Sequence, residues 1–353
     1  MSLNALIDRN DIDPNAIDDV IVGCVTQAGE QSNHVGRNCV LASKLPQSVP
    51  AVTIDRQCGS SQQAIHFAAQ AVMSGTQDIV IAAGVESMTR VPMGSAVNNA
   101  QVYPPSIQKR FGVETFSQFI GAEMMAKKHG FDREACDRYA LESHKRAIAA
   151  IESKAFAREI VPVTVTLADG STVVHDQDEG VRFDTSLEAL SKLEPLSPGG
   201  VITAGNASQM CDGSAAVLIA SEAAVKTHGL KPLARIVNLT ITAGDPVIML
   251  EEPLFATPKA LKRAGLKIDD IDLFEVNEAF APIPLAWLKA TGADPAKTNV
   301  NGGAIALGHP LGASGAKLMA TLVHALHTRQ KRYGLQTMCE GGGQANVTII
   351  ERV

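Results

Sequence analysis

A chain of 353 residues exceeds the size at which one hydrophobic core stops growing, about 250–300 residues, so at least two packed units are expected. With 45% hydrophobic and 19% charged residues it is neither disordered nor fibrous, and a net charge of −6 gives no electrostatic basis for binding nucleic acid or an anionic membrane. Cys24, Cys39, Cys58, Cys136, Cys211 and Cys339 form no C-x-x-C pair, which argues against a zinc site or a disulfide framework and for a reducing, cytoplasmic setting.

In chain order, a helical stretch follows Met1-Ser2-Leu3, with no basic-then-apolar leader and no run near the roughly 18 apolar residues of a membrane span. Apolar, β-branched runs at Val20 to Val22, Val49 to Ile54 and Ile79 to Ala83 alternate with the helical pattern of Ser61 to Met73. That alternation predicts β–α–β units feeding a largely buried sheet. From about Val91 to Ser208 the texture changes. Loops with Pro, Gly and Asn surround one long amphipathic helix, Arg133 to Lys154, and a Val-Thr-rich hairpin from Ile160, as in an insertion. The strand–helix rhythm resumes at Ala215 to Ala220. Cys211-Asp212-Gly213-Ser214-Ala215-Ala216-Val217 is echoed by Cys339-Glu340-Gly341 followed by Ala345-Asn346-Val347, and each half carries a strand–turn–helix crossing, at Ala51 to Ala64 and Thr298 to Leu318. The expected fold class is α/β, with two duplicated halves stacked around an insertion.

Four segments could carry chemistry. In the first crossing, Cys58 sits where a strand gives way to a helix, and a helix N-terminus favours the thiolate; the same position suits a buried small hydrophobe. In the second, Asn301-Gly302-Gly303-Ala304-Ile305-Ala306-Leu307-Gly308-His309-Pro310 lets a ligand approach the backbone, with His309 restrained by its neighbours. Cys339 precedes Gly341-Gly342-Gly343, whose N–H groups can face an oxyanion or simply make a turn. Asn277, in Glu275-Val276-Asn277-Glu278-Ala279-Phe280, reads either as a helix N-cap or as the holder of a water.

Together and in this order, the four segments resemble the signature of the thiolase family, the CoA-dependent acyl-CoA acyltransferases, and the likeness extends to Val85-Glu86-Ser87-Met88-Thr89 and Thr203-Ala204-Gly205-Asn206-Ala207-Ser208. Ketosynthases, which typically use two histidines, and hydroxymethylglutaryl-CoA synthases, which use a glutamate base, fit less well. The resemblance implies a layered α/β/α/β/α core built from an N-terminal half (1–90 and 212–232) and a C-terminal half (233–353), with a loop domain (91–211) for CoA and substrate. It implies Cys58 as nucleophile, His309 as its base, and Cys339 exchanging a proton with the substrate α-carbon. Asn277, through a water, and His309 would hold the thioester oxygen, the backbone N–H groups of Cys58 and Gly341 the tetrahedral intermediate, and Ser208 would line the CoA tunnel. The implied reaction is reversible thiolysis of a 3-ketoacyl-CoA to acetyl-CoA and a shortened acyl-CoA. CoA and acyl-CoA are then substrates, with no permanently bound cofactor, no metal and a homodimer or homotetramer expected.

Three departures stand out. Ser61 replaces the second glycine of Cys-Gly-Ser-Gly, and Ser117-Gln118-Phe119-Ile120-Gly121-Ala122-Glu123 replaces the short-chain His-Met-Gly stretch, favouring a bulkier acyl chain. The usual first strand and Arg-Thr-Pro segment are expected to be lacking. This last point gives the alternative expectation of an impaired thiolase-fold protein acting as a binding partner. A condensing enzyme for carrier-protein substrates is disfavoured by Asn277 standing where a second histidine would be.

Overall fold

The computed structural model describes residues 1–353. The chain opens with α1 (Ser2–Asn10) and lays down β1 (Asp19–Gly23), α2 (Val35–Leu41), β2 (Ala51–Ile54), α3 (Ser60–Ser74) and β3 (Ile79–Ser87). Next come α4 (Pro105–Phe111), α5 (Gln118–His129), α6 (Arg133–Glu152), the exposed hairpin of β4 (Val163–Thr166) and β5 (Thr172–His175), and α7 (Leu187–Ser191). The remainder is β6 (Asp212–Ala220), α8 (Glu222–Thr227), β7 (Ala234–Ala243), α9 (Pro253–Ala264), β8 (Leu273–Val276), α10 (Pro282–Thr291), α11 (Ala304–Leu307), α12 (Ser314–Thr328), β9 (Tyr333–Glu340) and β10 (Gln344–Arg352).

Two four-stranded sheets form the frame. The first runs β2-β1-β3-β6, with β1 parallel to β2 and β3 and β6 antiparallel to β3. The second runs β7-β10-β9-β8, with β8 parallel to β9 and β10 antiparallel to both neighbours. Thus β1, β3 and β6 repeat the arrangement of β8, β9 and β10, which makes the duplication topological. β7 has no counterpart in the first sheet, so the outer edge of β6 carries no strand. The sequence echo holds for β6 and β10 and not for the cysteines: Cys339 lies within β9, whereas Cys211 sits before β6 and packs on Gly308.

Period-two alternation explains the layers. Val20, Val22, Ile79 and Ile81 face an outer core shared with Leu3 and Ile7 of α1, while Ile21, Val80 and Ala82 face α3 and α12 on the other side. In the second sheet, Leu335, Val347 and Ile349 join Trp287 and Phe274 in the largest core, against α9 and α10. The inward face of that sheet sets polar Gln336, Asn346 and Thr348 among Leu273, Met338 and Ile350. Gln62 Nε2 of α3 donates to Thr348 Oγ1 at 2.8 Å, and Gln336 Nε2 donates to the Gly315 carbonyl at 2.9 Å. The order is therefore α1/α2, sheet, α3/α12, sheet, α9/α10. No helix is long and apolar enough to cross a membrane.

The second crossing departs from expectation. Thr298 and Val300 make only isolated bridges, to Phe274 and Gly302, and the glycine-rich segment forms the single turn of α11 before α12 begins. β2 is shorter than the Val49–Ile54 run, since Pro50 offers no backbone N–H. The second crossing meets the first sheet and the first crossing backbone to backbone: a Cβ on Gly84 of β3 would lie 2.2 Å from the Gly312 carbonyl oxygen, and one on Gly315 would lie 2.1 Å from Gln62 N. Only glycine permits that approach.

Candidate active site

The turn between β2 and α3 is tied at each residue. Asp55 Oδ1 accepts from the Gln57 backbone N–H at 2.6 Å, and Ser60 Oγ accepts from Arg56 N–H at 2.9 Å while donating to the Gln57 carbonyl at 2.6 Å. Gln57 is held at φ 48°, a left-handed conformation that costs a non-glycine residue energy and presents Cys58 to the interior. Gly59 caps α3. Gly341, in the turn that links β9 to β10, lies opposite: a Cβ there would be 2.7 Å from Gln57 Oε1.

His309 lies between α11 and α12, fully inside, with its backbone N–H donating to the Gln209 carbonyl at 2.9 Å. Its Nδ1 is 2.6 Å from Ser314 Oγ, and Ser314 Oγ donates its one proton to the Pro310 carbonyl at 2.9 Å. The hydroxyl can then only accept from the ring, so Nδ1 carries the proton and Nε2 the lone pair. Asn277 Nδ2 faces that lone pair at 3.3 Å. Burial, with Lys317 adding to it, pushes the imidazole down to about 3, so the resting ring is neutral.

Cys339, on β9, is buried and close enough to Cys58 for each charge to oppose the other. The expected low-pKa thiolate is not what this environment produces. Burial pushes Cys58 up to about 12, with Glu340 next in effect, and raises Cys339 well above the ordinary thiol range. Desolvation outweighs the helix N-terminus here. Resting thiol and imidazole are both uncharged.

Asn277 does not cap a helix, since α10 begins only at Pro282 after Ala281; it follows β8, and its Oδ1 has no partner. Ser208 N–H donates to the Ala279 carbonyl at 2.9 Å, which sets it beside the segment that carries Asn277. The structure thus draws Cys58, Cys339 and Gly341 together at one end of α3, and Asn277 and His309 together at the start of α12.

Several supporting residues went unassigned in the sequence. Glu86 accepts from Val25 N–H (2.9 Å), Thr26 N–H (3.0 Å) and Gly312 N–H (2.8 Å), pinning the loop after His309 to the first sheet. Glu278 accepts from Ser143 Oγ (2.6 Å), Asn299 Nδ2 (2.9 Å), Tyr139 Oη (3.0 Å) and Ile305 N–H (3.2 Å). Ser61, the departure from the glycine pattern, accepts from Ala316 N–H at 2.9 Å and so fastens α12 to α3. The signal for Glu86 and Glu278 was a charged residue inside an otherwise apolar strand end.

The profile of the thiolase N-terminal domain matches residues 1–223, and that of the thiolase C-terminal domain matches residues 230–352. The chain belongs to the thiolase family, and is an acyltransferase by class. It is 53% identical over 361 residues to a protein of Mycobacterium tuberculosis named steroid 3-ketoacyl-CoA thiolase, covering 100% of this chain and 87% of that one. It is 43% identical over 357 residues to the 3-ketoacyl-CoA thiolase of Pseudoalteromonas translucida, covering 99% and 91%. The crystal structure of human mitochondrial 3-ketoacyl-CoA thiolase superposes with a TM-score of 0.89 at 40% identity, covering 100% of this chain and 91% of that one.

Proposed function

We propose that the protein is a 3-ketoacyl-CoA thiolase that works through an acyl-enzyme on Cys58. The observation that carries the mechanism is the fixed tautomer of His309, with its Nε2 lone pair directed into the site. As the substrate keto carbon meets Cys58 Sγ, the thiol proton passes to His309 Nε2 and the sulfur adds to the carbonyl. The backbone N–H groups of Cys58 and Gly341 hold the resulting alkoxide. The bond between the α-carbon and the former keto carbon breaks, its electron pair forming the acetyl-CoA enolate. Asn277, through a water, and His309 hydrogen-bond that enolate oxygen, and Cys339 delivers the proton to carbon. Cys339, now a thiolate, takes the proton of incoming CoA, whose sulfur displaces the acyl group from Cys58, and the departing Cys58 sulfur takes back the proton held on His309 Nε2. Every charge arises in a buried site, where a placed donor is worth most.

Residues 91–211 serve as the loop domain that receives CoA, with Ser208 on its tunnel. The absence of the short-chain stretch at Ser117 to Glu123 and the name of the 53% identical relative both support a bulky, ring-bearing acyl chain. The chain assembles as a homo-oligomer through the open edge of β2, where Val52 is 41% exposed, Phe67 of α3 being exposed as well. Six free cysteines support a reducing, cytoplasmic compartment. The alternative reading, a binding protein without catalysis, draws no support from relatives named as enzymes over their full alignments.

Intact-mass measurement after incubation with acetyl-CoA and longer acyl-CoAs tests the central step. An acyl adduct is expected on the native chain and not on Cys58→Ser. A folded native chain that no donor labels would overturn the reading.

A further inference from the structure

β9 ends on Glu340, a charged side chain in the motif between Cys339 and Gly341 that the mechanism above does not use. It is completely buried. A Cβ on Gly59 would lie 1.9 Å from its Oε1 and 2.6 Å from its Cδ, so the carboxyl rests on the residue that follows Cys58. Neither carboxyl oxygen completes a hydrogen bond. Arg56 faces it from the turn before α3, but Arg56 Nε is itself without a partner, and its Nη1 is engaged with Gln344 Oε1 at 2.8 Å. The other groups around it are the thiols of Cys58 and Cys339 and the Asn346 backbone N–H of β10; Asp55 and Glu86 act on Cys58 from farther away.

An unpaired acid in such a place is costly, and an apolar side chain would fill the space without that cost. We propose that Glu340 is a positioning residue of the thiolytic reaction, a carboxyl packed on Gly59 whose charge controls how readily Cys58 and Cys339 ionise. The inference rests on Cys58 being the nucleophile. Burial drives the Glu340 carboxyl well above the ordinary carboxylate range, against the pull of Arg56 and the Asn346 N–H. While neutral, it leaves both thiols free of an adjacent negative charge. Once ionised, it opposes the thiolate of each, as Coulomb repulsion between neighbouring anions requires. The residue therefore sets an alkaline ceiling on the enzyme that an amide or thioether would lack.

The test is the rate of Cys58 alkylation by iodoacetamide, read by peptide mass from about pH 6 to about pH 10 in the wild-type chain, E340Q and E340M. At the alkaline end of that range both variants are expected to be alkylated about 10-fold faster than wild type. Their own alkaline-to-neutral ratios of thiolysis rate are expected to rise by about 3-fold or more, an effect that loss of packing alone would not produce. Curves that superpose on wild type would overturn the proposal. E340M decides the matter if E340Q fails to fold, and the reverse. Alkylation needs no turnover, so this result stands apart from the acyl-adduct test of Cys58.

Discussion

His309 gives its Nδ1 proton to Ser314 Oγ, five residues on, across 2.6 Å, and the same hydroxyl is committed to the Pro310 carbonyl. The base is thus aimed by a residue of the helix that follows it. Ser314→Ala removes that acceptor and frees the ring to change tautomer. We expect kcat to fall about 10-fold or more with KM nearly unchanged, since no substrate contact is lost. Steady-state thiolysis of a 3-ketoacyl-CoA checks this; an unchanged kcat would mean that the tautomer is fixed elsewhere.

Cys339→Ala separates the two thiols. With Cys58 and His309 intact, the variant should still accept an acyl group from acyl-CoA, visible as an added mass. Turnover should drop by about 100-fold or more, because proton exchange at the α-carbon has lost its carrier. Loss of the adduct in this variant would place Cys339 in the first step as well.

Glu159, in the loop after α6, has both carboxyl oxygens buried and unpartnered, and burial pushes it up to about 8 from the usual 4.5. Its folded pKa lies above its unfolded one, so the folded chain binds the extra proton between those limits. The stabilisation is complete below 4.5 and is lost as pH rises through 8. Glu159→Gln is expected to flatten the decline of melting temperature over that window, and parallel melting curves for both proteins would contradict this.

Gly84→Ala drives a Cβ to 2.2 Å from the Gly312 carbonyl oxygen and 2.7 Å from Ala313 Cα. Both targets are backbone, with no flexible side-chain end to give way. Stability should fall by about 1–3 kcal/mol or more, measured by urea unfolding, and kcat should fall with it, because Gly312 lies three residues from His309. A neutral substitution would show that β3 and the loop after His309 tolerate separation.

Much of this architecture was readable because short-range pattern carried it. The alternation of Val20-Ile21-Val22 and Ile79 to Ala83 gave two strands with both faces buried, and Ser61 to Met73 gave α3 nearly to its ends. What pattern could not supply was distance along the chain. β6 joins β3 across the whole 91–211 stretch, and Thr298 to Val300, strand-like in composition, never gained the partners to become one. The site follows the same rule. Cys58 before a helix was visible as a thiol favoured by a dipole, but the burial that outweighs the dipole comes from Met88, Leu311, Leu318 and Met338, all distant along the chain. Glu340 passed unnoticed because its meaning lies in Gly59.

The pairing of Gly59 with Glu340 also orders events at the ribosome. Cys58 is translated early and then waits while the insertion, β7, β8 and the His309 loop emerge; Cys339, Glu340 and the strand that closes the second sheet come at the very end. At about 5–20 residues per second this interval lasts tens of seconds, and for most of it neither His309 nor Cys339 has been made. Until then Cys58 stands apart from the residues grouped around it in the folded chain.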